Sequence, residues 1–151
     1  MARIRRSSES DLPFLLAIWR GAVRATHGFL SPADFFRIER LVAEDYLPRG
    51  GFWVAADDGN RPLGFMGMTG AHVDALFVDP AFHGQGIGRL LLGQALEEAG
   101  PVTVDVNEQN GEALGFYRRM GFRPFGRSET DGEGRPYPLL HLWMDGPAHQ
   151  G

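Results

Sequence analysis

Residues 78–89 read Val-Asp-Pro-Ala-Phe-His-Gly-Gln-Gly-Ile-Gly-Arg, and this segment constrains the fold more than any other. The run Val73-Asp-Ala-Leu-Phe-Val78 ahead of it has strand character, and Ile87, Leu90, Leu91 and Leu92 behind it recur at helical spacing. A strand therefore ends, a turn with three glycines follows, and a helix begins at once. The first N–H groups of a helix have no partner within it, and glycine lets a ligand approach the backbone closely. Such a turn is an anion site by geometry, and a diphosphate is its natural guest.

Three nucleotide-type loops fit that description to different degrees. A P-loop needs Gly-Lys-Ser/Thr, and the chain has no lysine: all fifteen of its basic residues are arginine. A dinucleotide loop needs a later third glycine and sequence enough for two βαβ halves. Here the third glycine, Gly88, comes early and the turn lies mid-chain. A loop for the pyrophosphate of coenzyme A remains, beside a glycine-rich turn with no ligand at all.

The flanking sequence reads as one α/β domain. A short strand at 2–6 precedes a helix at 11–26, with Ser8 to Asp11 supplying caps and Leu12, Leu15, Leu16, Trp19 and Val23 its apolar face. Ser31-Pro32 opens a second helix with Asp34 at the capping-box position, Phe35, Ile38, Leu41, Val42 and Tyr46 on one face, and Pro48 as its end. Strands at 52–56 and 63–69 flank the hairpin turn Asp57-Asp-Gly-Asn60. Strand 73–78, helix 86–99, strand 101–106 and helix 110–120 follow, and strands 122–128 and 139–144 close the pattern. The order is βααβββαβαββ. Short turns make the early strands antiparallel, and the helical crossover makes the strands around 86–99 parallel. The expected architecture is a mixed, mostly antiparallel sheet with helices on both faces, as a domain over 1–146 and a disordered tail at 147–151.

Composition narrows the chemistry. The chain has 151 residues, 19 acidic against 15 basic, hence a net charge of −4. That mild acidity speaks against nucleic acid as a partner, and the cluster Arg3, Arg5, Arg6 reads as a solvated first strand. No apolar run approaches the roughly 20 residues that span a bilayer, and no signal peptide is visible. A cytoplasmic protein is expected. The absence of cysteine excludes disulfides, thiolate metal sites and a thiol nucleophile. No metal site is expected.

A second segment, Asn110-Gly-Glu-Ala-Leu-Gly-Phe-Tyr-Arg-Arg-Met-Gly-Phe122, lies one strand after the glycine turn. Together the two segments resemble the GNAT superfamily of N-acetyltransferases. The phosphate motif Gln/Arg-x-x-Gly-x-Gly/Ala is matched by His83-Gly-Gln-Gly86-Ile-Gly88, with His83 departing from the usual residue. The later motif Asn-x-x-Ala-x-x-Phe-Tyr-x-x-x-Gly-Phe is matched by Asn110, Ala113, Phe116, Tyr117, Gly121 and Phe122. Ala25 to Leu30, Asn107 to Asn110 and Arg135 to Leu139 look like the bacterial YjaB-type subgroup.

The resemblance implies acetyl-CoA as cofactor and an amine acceptor, either a small molecule or a peptide or protein, on a monomer or homodimer. It implies that backbone groups of Leu76, Phe77 and Val78 bond the pantetheine arm, and that one N–H there polarises the thioester carbonyl. The loop His83, Gly84, Gln85, Gly86, Ile87, Gly88 and Arg89 would hold the pyrophosphate, with Asn107 and Asn110 shaping the site. Tyr117 would protonate the departing CoA thiolate, since a phenol is protonated at neutral pH. His72 and Asp74, which share a strand face, are the candidates for the base. His27, Phe29 and Leu30 would border the acceptor, with His27 a further base candidate. His141 and His149 have no supporting context. Direct attack in a ternary complex is the expected route, and the alternative is a non-catalytic acyl-CoA sensor. Acyl groups other than acetyl remain open.

Overall fold

A computed structural model of the chain describes residues 2–145, so the expected tail at 147–151, like His149, lies outside the described residues. Seven strands form one sheet in the order β1-β2-β3-β4-β5-β7-β6. The strands are β1 (Arg3–Arg6), β2 (Trp53–Ala56), β3 (Pro62–Thr69), β4 (His72–Val78), β5 (Val102–Asn107), β6 (Arg123–Ser128) and β7 (Leu139–Met144). The helices are α1 (Leu12–Thr26), α2 (Pro32–Leu41), α3 (Ile87–Ala99) and α4 (Gly111–Arg119). The βααβββαβαββ order is thus observed. β1–β2, β2–β3, β5–β7 and β6–β7 are antiparallel, and β4–β5 is parallel. The mixed, mostly antiparallel α/β sheet read from the sequence is the one found.

The chain packs as two compact units. Among the described residues, one holds the chain up to Gly67 together with Ala75–Leu92, and the other holds Met68–Asp74 together with residues 93–145. β4 contributes to both.

In the first unit the apolar stripe of α1, with Leu15, Ile18, Trp19 and Val23, is buried with Val54, Ala56 and Phe65 of the sheet and with Phe52 just ahead of β2. Pro13 sits in the first turn of α1, where its missing N–H costs no helical bond. Aromatic rings step across this core from Tyr46 to Phe52 to Phe65 to Phe77, at centroid distances of 5.1, 5.7 and 5.8 Å. That chain seats the second half of β4. Gly64 permits the close approach there: a Cβ on it would come to 3.0 Å from both Phe77 O and Ile87 Cγ2.

Two expectations for this unit are corrected. The second helix was expected to run to Pro48. It ends at Leu41 and continues as a π-helical turn over Val42–Tyr46 and a 3-10 turn over Leu47–Arg49. The N-cap is as expected, with Asp34 N–H donating to Ser31 Oγ at 3.1 Å. Beyond the regular helix, Tyr46 reaches Gly67, where any Cβ would overlap its hydroxyl. Of the arginines of β1, Arg3 is exposed as expected, whereas Arg5 and Arg6 are engaged. Arg5 donates to both oxygens of Asp11 at 2.8 and 2.9 Å and to Asn60 Oδ1 at 2.7 Å, and Arg6 lies 3.7 Å over the Trp53 ring. The Arg5 bond, with help from Ser8, holds the Asp11 carboxyl below the usual range against the opposing effect of its burial.

In the second unit Val102, Val104 and Val106 alternate inward from β5 with Leu142 of β7, Phe122 and Tyr117. Alternation leaves Thr103, Asp105 and Asn107 on the opposite, partly exposed face.

Candidate active site

The first unit builds the anion loop. Asp79 N–H donates to Leu63 O at 2.8 Å and so ties the end of β4 to β3. The Asp79 carboxylate accepts from Ala81 N–H at 3.0 Å, which holds the Pro80–Phe82 turn. The chain then passes through Gly84 and Gly86, at φ +79° and +81°, a region open to glycine at little cost. Nothing lies within 4 Å of where a Cβ would stand on either residue. Ile87 is buried and anchors the start of α3, while His83, Gly84, Gln85, Gly86 and Arg89 are exposed ahead of or beside it.

Among the described residues no hydrogen bond is recorded for the N–H groups of Gly84, Gln85 and Gly86. Leu90 N–H makes the first helical bond, to Gly86 O at 3.0 Å. The N–H groups of Ile87, Gly88 and Arg89 precede it at the positive end of a 13-residue helix. An open, glycine-lined arc of free donors has the groups a pyrophosphate needs, and Arg89 is exposed in the first turn of the helix behind it.

The last residues of β4 differ from plain core. Leu76, Phe77 and Val78 are only half-buried, although Phe77 packs against Phe65. The described parallel register with β5 covers His72↔Thr103 and Val73↔Val104.

His27 closes α1, with its N–H donating to Val23 O at 2.7 Å. Thr26 Oγ1 donates to Ala22 O at 2.8 Å, so its lone pair is left to accept from His27 Nδ1 at 2.8 Å. That fixes the tautomer and leaves Nε2 as the bare nitrogen. Burial pushes the imidazole down to about 4, so it is neutral at pH 7. Phe29 packs on the ring at 5.1 Å, and Leu30 packs against the core. His27 and Phe29 are therefore in contact, and Leu30 N–H donates to His27 O at 3.1 Å.

The second unit carries the other candidates. Tyr117 on α4 is buried between Phe116 and Phe122, each 5.2 Å away in edge-to-face geometry. Burial raises its hydroxyl well above the usual phenol range, so it stays protonated throughout the physiological range. Among the described residues no hydrogen bond to that hydroxyl is recorded. Asn110 is buried and caps α4, its Oδ1 accepting from Ala113 N–H at 3.1 Å. Its side-chain NH2 group remains for another partner. Asn107 ends β5, and its carbonyl accepts from Asn110 N–H at 2.9 Å. The adjacent Glu108 is paired with Arg127 at 2.7 and 3.0 Å.

His72 and Asp74 stand on one face of β4, with buried Val73 between them on the other. Asp74 accepts from Thr69 Oγ1 at 2.6 Å, and His72 Nδ1 lies 2.7 Å from Thr103 Oγ1. Here the structure corrects the reading of His141 as lacking context. Its Nδ1 is 2.6 Å from Asp105 Oδ1 and its Nε2 is 2.7 Å from Ser128 Oγ. The other Asp105 oxygen is 3.6 Å from His72 Nε2. Asp105, Thr103 and Ser128 were missed because only the β4–β5–β7–β6 register brings them together.

Three comparisons bear on what this arrangement belongs to. The acetyltransferase (GNAT) domain family matches residues 48–124. Peptidyl-lysine N-acetyltransferase YjaB of Salmonella typhimurium is 53% identical over 142 residues, which cover 94% of this chain and 97% of that protein. The protein of the same name from Escherichia coli is 48% identical over 139 residues, 92% of this chain and 94% of its own. The solution structure of apo-form YjaB from Escherichia coli superposes with a TM-score of 0.92 at 46% identity, covering 97% of this chain and 99% of that one. Family match, fold and the open glycine loop agree: the chain belongs to the GNAT acetyltransferases and is an acyltransferase that uses acetyl-CoA.

Proposed function

We propose that the chain is a peptidyl-lysine N-acetyltransferase that works by direct attack of the lysine amine on the thioester. The observation that carries the acceptor is the 53% identity, over nearly the full length of both chains, to a Salmonella enzyme of that name. Acetyl-CoA supplies an acetyl group activated as a thioester. Direct transfer is supported by the absence of cysteine, which leaves no thiol to carry the acetyl group between the two substrates.

The roles divide by element. The N–H groups from Gly84 to Arg89 bind the pyrophosphate, with His83 at the mouth of the loop. The backbone of Leu76, Phe77 and Val78 bonds the pantetheine arm, and a β4 N–H polarises the carbonyl as its oxygen gains charge. Asn107 and Asn110 shape that site. Tyr117, protonated at neutral pH, gives its proton to the leaving thiolate. His72 or Asp74 receives the proton of the attacking amine. His27, Phe29 and Leu30 flank the acceptor, where neutral His27 offers Nε2 as an acceptor.

The test is an acetyl-CoA reaction with lysine-containing peptides, read by release of free CoA thiol and by peptide mass. Acetylation is expected on the lysine side chain and absent when that amine is blocked. Transfer to peptide N-termini alone would replace the acceptor reading.

A further inference from the structure

The partly exposed face of the second unit carries a hydrogen-bonded row drawn from four strands. Thr103 and Asp105 alternate with the buried valines of β5, His72 pairs across to Thr103, and His141 pairs across to Asp105. Ser128 of β6 ends the row, and Gly126 leaves room for the His141 ring, since a Cβ there would stand 3.3 Å from Cδ2.

Donor and acceptor roles follow from the chemistry of the ends. An ionised carboxylate only accepts, so His141 Nδ1–H donates to Asp105 Oδ1 at 2.6 Å. His141 Nε2 then accepts from Ser128 Oγ–H at 2.7 Å. This holds Asp105 in place and leaves its second oxygen facing His72. The separation from Oδ2 to His72 Nε2 is 3.6 Å, too long for a direct hydrogen bond. His72 is satisfied on its other side, where Nδ1 meets Thr103 Oγ1 at 2.7 Å. The Thr103 hydroxyl can donate or accept; in the tautomer in which it accepts from Nδ1–H, the Nε2 lone pair and the Oδ2 carboxylate oxygen are two acceptors with no donor between them. Both side chains are about a third exposed, at 34% and 38%, so solutes reach them.

We propose that the His72 Nε2–Asp105 Oδ2 pair is the seat of the acceptor's ammonium group, with Asp105 as the residue that selects a cationic amine and His141 and Ser128 as its positioning residues. The proposal rests on the amine-acceptor reading above and narrows its choice of base to His72. An ammonium carries three donors and no acceptor, which matches a site made only of acceptors. Among the described residues no group of three His, Asp or Glu side chains is arranged to hold a metal, so a donor cation suits the pair better than a metal ion. In the reaction the bound ammonium first gives one proton to His72 Nε2, which frees the nitrogen lone pair to bond to the carbonyl carbon. The adduct gives its second N–H proton to Asp105 Oδ2, the carbon–sulfur bond breaks, and the thiolate takes the Tyr117 proton; water then returns one proton to Tyr117 and carries off the other, so that one proton is released per acetyl group transferred.

The experiment is ring-nitrogen NMR of the histidines while Nα-acetyl-lysine amide is added, with Nα-acetyl-norleucine amide as the uncharged control. The His72 and His141 signals are expected to shift saturably with the lysine probe and not with norleucine. Asp105→Asn is expected to weaken that binding about two- to fivefold, as for a part-exposed charge pair, and to leave the acetyl-CoA-induced rise in Tm unchanged. Asp105→Ser replaces it if the amide variant does not fold. His72→Gln should retain binding within a few fold and lose turnover. Equal shifts with norleucine, no shift at His72, or unaltered binding in the Asp105 variant overturns the site. Full turnover in His72→Gln overturns its role as base. No Tm rise with acetyl-CoA would count against the acetyl-transfer reading instead, since the NMR titration needs no cofactor.

Discussion

Tyr117→Phe separates chemistry from packing better than any other change in this chain. The substitution removes one oxygen and keeps the ring, so the contacts with Phe116 and Phe122 at 5.2 Å survive. Among the described residues the hydroxyl has no recorded hydrogen-bond partner to lose. Folding stability at pH 7 should therefore change by less than about 1 kcal/mol. The chemical step should suffer much more. A positioned general acid contributes on the order of 10²–10⁴ in rate, or roughly 3–5 kcal/mol of barrier. The expected result is a large fall in kcat with the KM for acetyl-CoA and the ligand-induced Tm rise nearly unchanged.

The same variant carries an alkaline signature. Burial raises the folded-state hydroxyl above the 10.0 of an exposed tyrosine. Above pH 10 the unfolded chain gives up this proton while the folded chain keeps it. The unfolded state then binds fewer protons, and stability falls as pH rises from there towards the folded value. Phenylalanine removes that contribution, so Tyr117→Phe should unfold at a higher pH than the wild type. Urea melts from pH 7 to 11, run beside CoA-thiol kinetics, check both arms. An unchanged kcat would falsify the general-acid role, and a loss of more than about 2 kcal/mol at pH 7 would mark Tyr117 as a structural residue.

What the sequence reveals about this fold divides by the range of the interactions. The strand–glycine–helix junction at 78–89 and the Ser31 cap are set by neighbours a few residues apart, and both are found where the spacing puts them. The π-helical turn after Leu41 carries Tyr46 to Gly67, twenty-one positions further along the chain, a meeting that local spacing does not show. Arg5 looks like a surface charge until the fold brings Asp11 and Asn60 to it. The same holds for the site. Tyr117 and the phosphate loop sit in contiguous motifs, whereas Asp105 and His141 are thirty-six positions apart and meet only because β5 and β7 pair in one register. A slip of one residue there would turn every alternate side chain to the other face. No local pattern carries that information.

Two further tests probe the ends of the first unit. Gly86→Val places a β-branched residue at φ +81° with no neighbour within 4 Å to clash. It should cost about 1–2 kcal/mol of stability from backbone strain and abolish the acetyl-CoA-induced Tm rise, whereas Gly93→Ala, on α3 and equally open, should keep it. If Gly86→Val folds and binds normally, the pyrophosphate does not rest on this arc. At the C-terminal end of α1, His27 is held neutral with its pKa pushed down from 6.5 to about 4 by burial. Below pH 6.5 the unfolded chain takes up a proton that the folded chain refuses, so stability is lost as pH falls through 6.5 towards about 4. The loss reaches roughly 3 kcal/mol at the acid limit. Denaturant melts at pH 7, 5.5 and 4 should show this slope in the wild type and lose it in His27→Gln. Equal slopes in the two proteins would mean that the imidazole is hydrated in the folded state. The loop behind α1 would then be open to water, and His27 would meet the acceptor as a charged side chain rather than through a bare Nε2.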